Sequence, residues 1–262
     1  MMEPGPFGIK NPAITDDYVF SGYCPTCKTI HHLSSGNAHR YALELMEELE
    51  KYGRVDFQKS QDEADSRFST KYLFGPARGQ MFGVLECLDE LGMVRVLRAF
   101  SGQYNGKWNI EGWVEPLLDV PRFNSIVSPV DAEIKQLGRQ IEVLEAGEHR
   151  NRLVARRREL SRRLMKEIHL LYRLRNFRNE IKLLTEFFQG SIPTGTGDCC
   201  GPKLLNHAAV HGLKPISLAE FYWGRENKSG SKQHGQFYPS CVEKCSPIIG
   251  YMLCGVEAMV GR

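Results

Sequence analysis

The sequence predicts an α/β protein, and three observations carry that reading. Residues 80–102 hold two apolar runs, Met81 to Leu88 and Met93 to Phe100, around the turn residues Asp89 to Gly92, which reads as a β-hairpin. Residues 34–53 place Ala42, Leu43, Leu45, Met46 and Leu49 on one stripe, the pattern of an amphipathic helix. Residues 193–262 then alternate helix, strand and helix. With 262 residues and 42% hydrophobic content, the chain is long enough for one large domain or two small ones.

In order, residues 1–33 read as an extended arm carrying the turn "YCPTCKTIHH". Residues 34–127 read as the first part of the α/β core. They comprise the helix closed by Gly53, a polar stretch, the hairpin, and an aromatic ordered loop from 104 to 124. The text changes at 128–190. Ser128-Pro129 marks a helix start, with proline inside the first turn. Ile134, Leu137, Ile141 and Leu144 step by three and four, and Gly147 interrupts. The stripe resumes at Leu153 and runs to Leu184. One long helix or an antiparallel helical hairpin inserted into the core fits, and Gly147 favours the hairpin. Residues 191–262 complete the core. Cys200 to His211 reads as a helix, 214–224 as a strand, 225–236 as a polar loop, and 238–255 as a turn opening into a helix. If the sheet is parallel, the two helix starts face each other at one of its ends.

Charge is uneven. Between His149 and Arg178 stand eleven Lys or Arg against Glu159 and Glu167, a net of +9, so the rest of the chain is net −6 within the overall +3. "RRRELSRR" has few acidic partners, whereas a self-neutralising helix alternates signs. Arg156, Arg157, Arg158, Arg162, Arg163 and Lys166 are therefore candidate contacts to an RNA phosphate backbone. The competing reading is a solvated coiled-coil face.

The N-terminal residues lack a basic n-region and an apolar h-region, and no apolar run reaches membrane-spanning length. The expectation is a cytoplasmic protein without a membrane partner, whose eight cysteines stay reduced. Thiols in that setting point to metal or catalysis before disulfides, while some are core filler. "PTGTGDCCGPKLLNHA" puts Asp198, Cys199 and Cys200 at a helix start, and "FYPSCVEKC" puts Cys241 and Cys245 at the next. Four such thiols suit zinc, closed if all four ligate and open if three do. Cys24, Cys27, His31 and His32 form a second set. It is a zinc knuckle, a source of ligands for the first site, a redox pair, or a turn with two half-buried thiols. Trp108, Trp113 and Trp223 either stack bases or fill the core.

The order helix, hairpin, cysteine-bearing helix, strand and helix resembles the zinc-dependent cytidine deaminase fold. That resemblance implies a zinc held by cysteines of both helix starts and a Glu that moves protons. The family places this Glu two residues after the first ligand, where this chain has Gly201 or Pro202. Asp198 or Glu220 would then take the role. A second resemblance rests on "QMFGVL", "PTGTGDCCGPKLLNHA", "LAEFYWG" and "GQFYPSCVEKCSPIIGYMLCG". These blocks look like the long region ahead of the catalytic domain in some bacterial RluA-type RNA pseudouridine synthases. The synthase motif His-Arg-x-Asp is absent: "HRY" at 39–41 is followed by Ala42, and "HRN" at 149–151 by Arg152. The resemblance implies a zinc-containing, RNA-binding accessory module that acts on rRNA or tRNA beside a separate synthase. A zinc-dependent nucleobase or nucleotide deaminase is the alternative, and a thiol redox protein a third.

Overall fold

The computed structural model describes residues 18–259. Residues 1–17 of the expected arm lie outside that range. The rest of the arm is not extended. It forms a hairpin of β1 (Val19–Cys24) and β2 (Thr29–Ser34), antiparallel and in register from Val19 opposite Ser34 to Cys24 opposite Thr29. Its turn closes because Lys28 accepts a left-handed backbone, φ 55°, and returns its N–H to the Cys24 carbonyl at 2.9 Å.

Helix α1 (Ala38–Tyr52) follows and ends as expected at Gly53, whose left-handed φ of 62° lets its N–H cap the Leu49 carbonyl. The short α2 (Lys71–Phe74) leads into the hairpin of β3 (Gln80–Leu88) and β4 (Val94–Phe100). After the inserted segment come α5 (Cys200–Val210), β7 (Lys214–Trp223) and α6 (Ser246–Met252). The central sheet has the order β4-β3-β7. Both pairings are antiparallel, with Phe82 opposite Phe221 and Gly83 opposite Glu220, so the parallel arrangement is corrected.

Period-two alternation along β3 divides the core. Phe82 and Val84 face α1, where they meet Ala42, Leu45 and Leu49. Leu85 and Cys87 face α5 and meet Leu204, Leu205 and Leu218. The sheet is thus covered by one helix on each side, and truncating a buried leucine such as Leu45 or Leu204 to Ala costs about 2–5 kcal/mol. Glu220 shares the α5 face, because on β7 it alternates with Ala219 and Phe221 of the α1 face.

Between β4 and α5 stand two helices packed on each other as a helical hairpin, α3 (Val120–Glu142) and α4 (Glu148–His169). It starts eight residues before Ser128. Asp119 supplies the cap, accepting the Arg122 N–H at 2.8 Å, and Pro121 takes the N-terminal turn. Pro129 lies inside the helix. Leu137 and Ile141 are buried near the turn of this hairpin, and Leu164 and Ile168 join the main core at its base. The helix does not continue to 190. A small hairpin of β5 (Arg173–Arg175) and β6 (Ile181–Leu183) replaces it. The competing signal is turn chemistry in "NFRN": Asn176 Oδ1 accepts the N–H groups of Arg178 and Glu180, and Asn179 takes φ 65°.

Candidate metal centres

Cys199 precedes α5, and Cys241 and Cys245 lie in the turn before α6. Their three sulfurs lie within 4.8 Å of one another. The turn is built by the Cys241 carbonyl, which accepts the N–H groups of Cys245 at 3.2 Å and Ser246 at 3.1 Å. That fold-back brings both thiols of Cys-x-x-x-Cys to one side, with Cys241 Sγ 3.5 Å from Cys245 Sγ. Lys244 anchors the turn to the 193–196 loop, donating to the Thr194 carbonyl at 2.7 Å. Cys245 is buried, and Cys241 opens to solvent. The thiols of Cys199 and Cys245 hydrogen-bond to that of Cys241, which holds it well below the usual thiol range.

Cys200 does not join them. Cys199 caps α5 with an extended backbone, φ −68° and ψ 159°, whereas Cys200 is the first helical residue, so Cys199 faces the turn while Cys200 faces the sheet. Cys200 donates to the Met81 carbonyl at 3.3 Å and is fully buried. A Cβ on Gly83 would stand 2.6 Å from Cys200 Cβ, so β3 carries glycine there. Burial pushes the Cys200 thiol far up, as befits a core residue. Of the four cysteines, Cys199, Cys241 and Cys245 come together and Cys200 stands apart from them.

The two acidic candidates separate as well. Glu220 reaches the N-terminus of α5, where its Oε1 accepts the Gly201 N–H at 2.6 Å. It is 6% exposed. Burial raises its carboxyl to about 7, against the Gly201 hydrogen bond that lowers it, and the charge of Cys241 adds to the rise. Lys232, from the polar loop, feels Glu220 and all three thiols and lies 3.7 Å over the Tyr238 ring. Asp198 instead accepts the Tyr172 hydroxyl at 2.7 Å and lines a cleft with Trp108 and His169.

The second centre comprises Cys24 at the end of β1, Cys27 in the turn, His31 on β2 and Cys254 just beyond α6. Cys27 Sγ lies 3.3 Å from Cys24 Sγ, 3.2 Å from Cys254 Sγ and 3.1 Å from His31 Nε2. Sulfurs on a tetrahedral zinc stand about 3.8 Å apart, given bonds of about 2.3 Å, so slight expansion accommodates the ion. His31 Nδ1 meets Glu257 at 3.4 Å, which leaves Nε2 for the thiols, the carboxylate–histidine pattern of metal sites. His32 is exposed, because period two on β2 turns it to the opposite face from His31. Cys254, not His32, is the fourth member. No local motif marks Cys254: its position follows from β1 packing on α6, where a Cβ on Gly22 would come 2.5 Å from the Gly250 N. The two centres are separate. Soft thiolate and imidazole donors of this kind suit zinc-like ions.

On α4, Arg156, Arg157, Arg158, Arg162, Arg163 and Lys166 are all exposed. Arg156 pairs with Glu133 at 2.6 Å and Arg163 with Glu167 at 4.0 Å. Arg157, Arg158, Arg162 and Lys166 have no acidic partner within 4.0 Å among the described residues. Arg158, Arg162 and Lys166 border a cleft of about 1120 Å³ that continues over Phe188 and Ser191. Trp113 is a core residue whose Nε1 donates to the Val55 carbonyl at 2.9 Å. Lys203, not singled out by sequence, is 1% exposed and donates to the Phe100 carbonyl at 2.7 Å, tying α5 to β4. No helix among the described residues is long and apolar enough to cross a membrane. Searches of protein-family profiles, of curated proteins and of solved structures each return no match for the chain.

Proposed function

We propose that the chain is a zinc-bearing RNA-binding module of the kind that accompanies RNA pseudouridine synthases. The single observation behind this reading is the row of acid-free cations, Arg157, Arg158, Arg162 and Lys166, along one exposed helix beside a wide cleft. Unpaired cations at this density attract polyanions and release counterions on binding. The four-member Cys-His centre ties the N-terminal hairpin to the end of α6. That connection serves the platform from which the hairpin projects. Residues 1–262 hold no His-Arg-x-Asp motif, so in this reading the nucleophile comes from outside them. The test is RNA affinity across a salt series. Arg157→Ala/Arg158→Ala/Arg162→Ala is expected to weaken binding at least tenfold and to flatten the log–log salt slope by about 2–3. Unchanged affinity and slope would sink the reading.

A second reading, a deaminase-like hydrolase, is favoured by the three-cysteine centre, where the described side chains leave a fourth position and Glu220 lies buried nearby. Cys199, Cys241 and Cys245 would hold zinc, which supplies a Lewis acid for water activation. Glu220 would carry a proton at its carboxylate, held by the Gly201 N–H. Ammonia release from nucleosides or RNA that disappears in Glu220→Gln, with zinc content intact, would establish this reading. Its absence in zinc-replete protein would remove it.

A further inference from the structure

Asp198 leaves the thiol cluster for a cleft of about 340 Å³ between α4 and the core, within the size range of small-ligand pockets. Its lining includes the aromatic residues Trp108, Phe123 and Tyr172 together with Gly195 and Thr196. Three of its lining residues carry polar groups with hydrogen-bonding capacity to spare. Trp108 is 7% exposed and His169 is 7% exposed. Trp108 Nε1 and His169 Nε2 are buried with no hydrogen-bond partner among the described residues. Buried polar atoms are paired in the great majority of cases, so two orphans in one cleft call for an explanation. Asp198 Oδ1 is occupied by the Tyr172 hydroxyl, and Oδ2 has no hydrogen bond among the described residues.

The cleft is held in shape by its neighbours. Trp108 packs edge-on against Phe123, centroids 5.3 Å apart at 82°. Gly197, at φ 92°, presses on Tyr172, where a Cβ would stand 2.6 Å from the ring. The Gly102 N–H fixes the Asp198 carbonyl at 2.8 Å. Met165 and His169 line both this cleft and the larger one that carries Arg162 and Lys166. A cleft lined by aromatic residues thus adjoins unpaired cations.

We infer that the cleft binds a nucleobase by an edge that sets a hydrogen-bond acceptor beside an N–H, with the phosphate directed to Lys166 and Arg162. The indole N–H of Trp108 donates only, so it calls for an acceptor on the base, a carbonyl oxygen or a bare ring nitrogen. The free carboxylate oxygen of Asp198 accepts only, so it calls for the N–H. Guanine and uracil meet both with a carbonyl and a ring N–H, and adenine with a ring nitrogen and N6–H, so the pair recognises a base edge rather than one base. The aromatic wall supplies stacking or edge contact to any base. The inference deepens the RNA-binding reading by naming the part of the RNA that is held, and its phosphate half rests on that reading.

The test is calorimetric titration of the metal-replete full chain with GMP, UMP, AMP and ribose 5-phosphate, which carries the phosphate and no base. At least one of the three nucleotides is expected to bind, with ribose 5-phosphate at least tenfold weaker. Trp108→Phe, which keeps a ring and removes the donor, is expected to weaken the preferred nucleotide about tenfold, the effect of one lost hydrogen bond. Asp198→Asn is expected to do the same, with zinc content measured alongside because Cys199 is adjacent. No binding of any of the three nucleotides at millimolar concentration would overturn the inference. So would ribose 5-phosphate binding as tight as that of the nucleotides, or nucleotide binding that neither substitution changes. If Trp108→Phe does not fold, the ratio of nucleotide to ribose 5-phosphate affinity and Asp198→Asn decide. Nucleotide binding that survives while the arginine row proves irrelevant to RNA would keep the pocket and remove the RNA reading.

Discussion

The two thiol centres are assembled in opposite ways. The Cys24/Cys27/His31/Cys254 centre joins segments more than two hundred residues apart and has four donors, with Glu257 behind the imidazole. The Cys199/Cys241/Cys245 centre joins two turns of the C-terminal half and has three donors, one of them exposed. A four-donor set closes a coordination sphere and serves the fold, while a three-donor set leaves room for something else. The difference should therefore appear as a difference between stability and chemistry.

The largest effect is expected at the closed centre. Cys27 touches all three of its partners, and metal binding at such sites is folding free energy. Cys27→Ser should remove one zinc per chain and lower Tm by more than about 10 °C, or prevent folding outright. Elemental analysis beside thermal melting checks this, and full retention of metal would show that the four residues form no site. Gly250→Ala attacks the same centre without touching a ligand. The added methyl meets the Gly22 carbonyl, 2.3 Å away in the present geometry, so β1 and α6 must separate. Overpacking of this kind costs about 1–3 kcal/mol. Zinc affinity of the closed centre should fall in a competition assay with a metal-binding dye, while the open centre should be unaffected.

A medium effect is expected from a pair of substitutions at the open centre. Cys245→Ser should lose its zinc with a smaller fall in Tm than Cys27→Ser, because the turn is also held by Lys244 and the Cys241 carbonyl. Cys200→Ala should keep both metals, since its sulfur faces Met81. Loss of metal in Cys200→Ala would mean that the ligand set includes both adjacent cysteines.

The open centre was more legible in the sequence than the closed one, and the reason is local. Cys199 and Cys241/Cys245 each sit in Pro/Gly-marked turns at helix starts, which sequence identifies well. The sequence cannot say which of two adjacent cysteines faces the turn, because that depends on how α5 rolls against Gly83. Cys254 was invisible because nothing beside it suggests a ligand. It becomes one only through the Gly22–Gly250 approach, a contact between distant segments. The hairpin β3–β4, helix α1 and helix α5 follow from periodicity alone. The end of α4 did not, because an apolar stripe at helical spacing continued through 170–184 while the Asn176–Asn179 turn imposed strands. The parallel sheet failed for a similar reason: period-two patterning fixes which face is buried and leaves strand direction to the connections.

The smallest effect separates core thiols from site thiols by reactivity. The thiolate is the reacting species, so both exposure and acidity control alkylation. In zinc-stripped, folded protein, Cys241 should react first with iodoacetamide: it is exposed, and its neighbours hold it low. Cys87 is buried, and its thiol is pushed up to about 12 by burial and secondarily by Glu86, and burial likewise raises the Cys200 thiol well above the usual range. Both should remain unmodified until the chain unfolds. Zinc should then protect Cys241 and leave Cys87 and Cys200 as they were. Mass spectrometry of a time course reads the order directly. Early labelling of Cys200 in the folded chain would place it at the open centre after all and undo the three-donor geometry on which the contrast between the two sites depends.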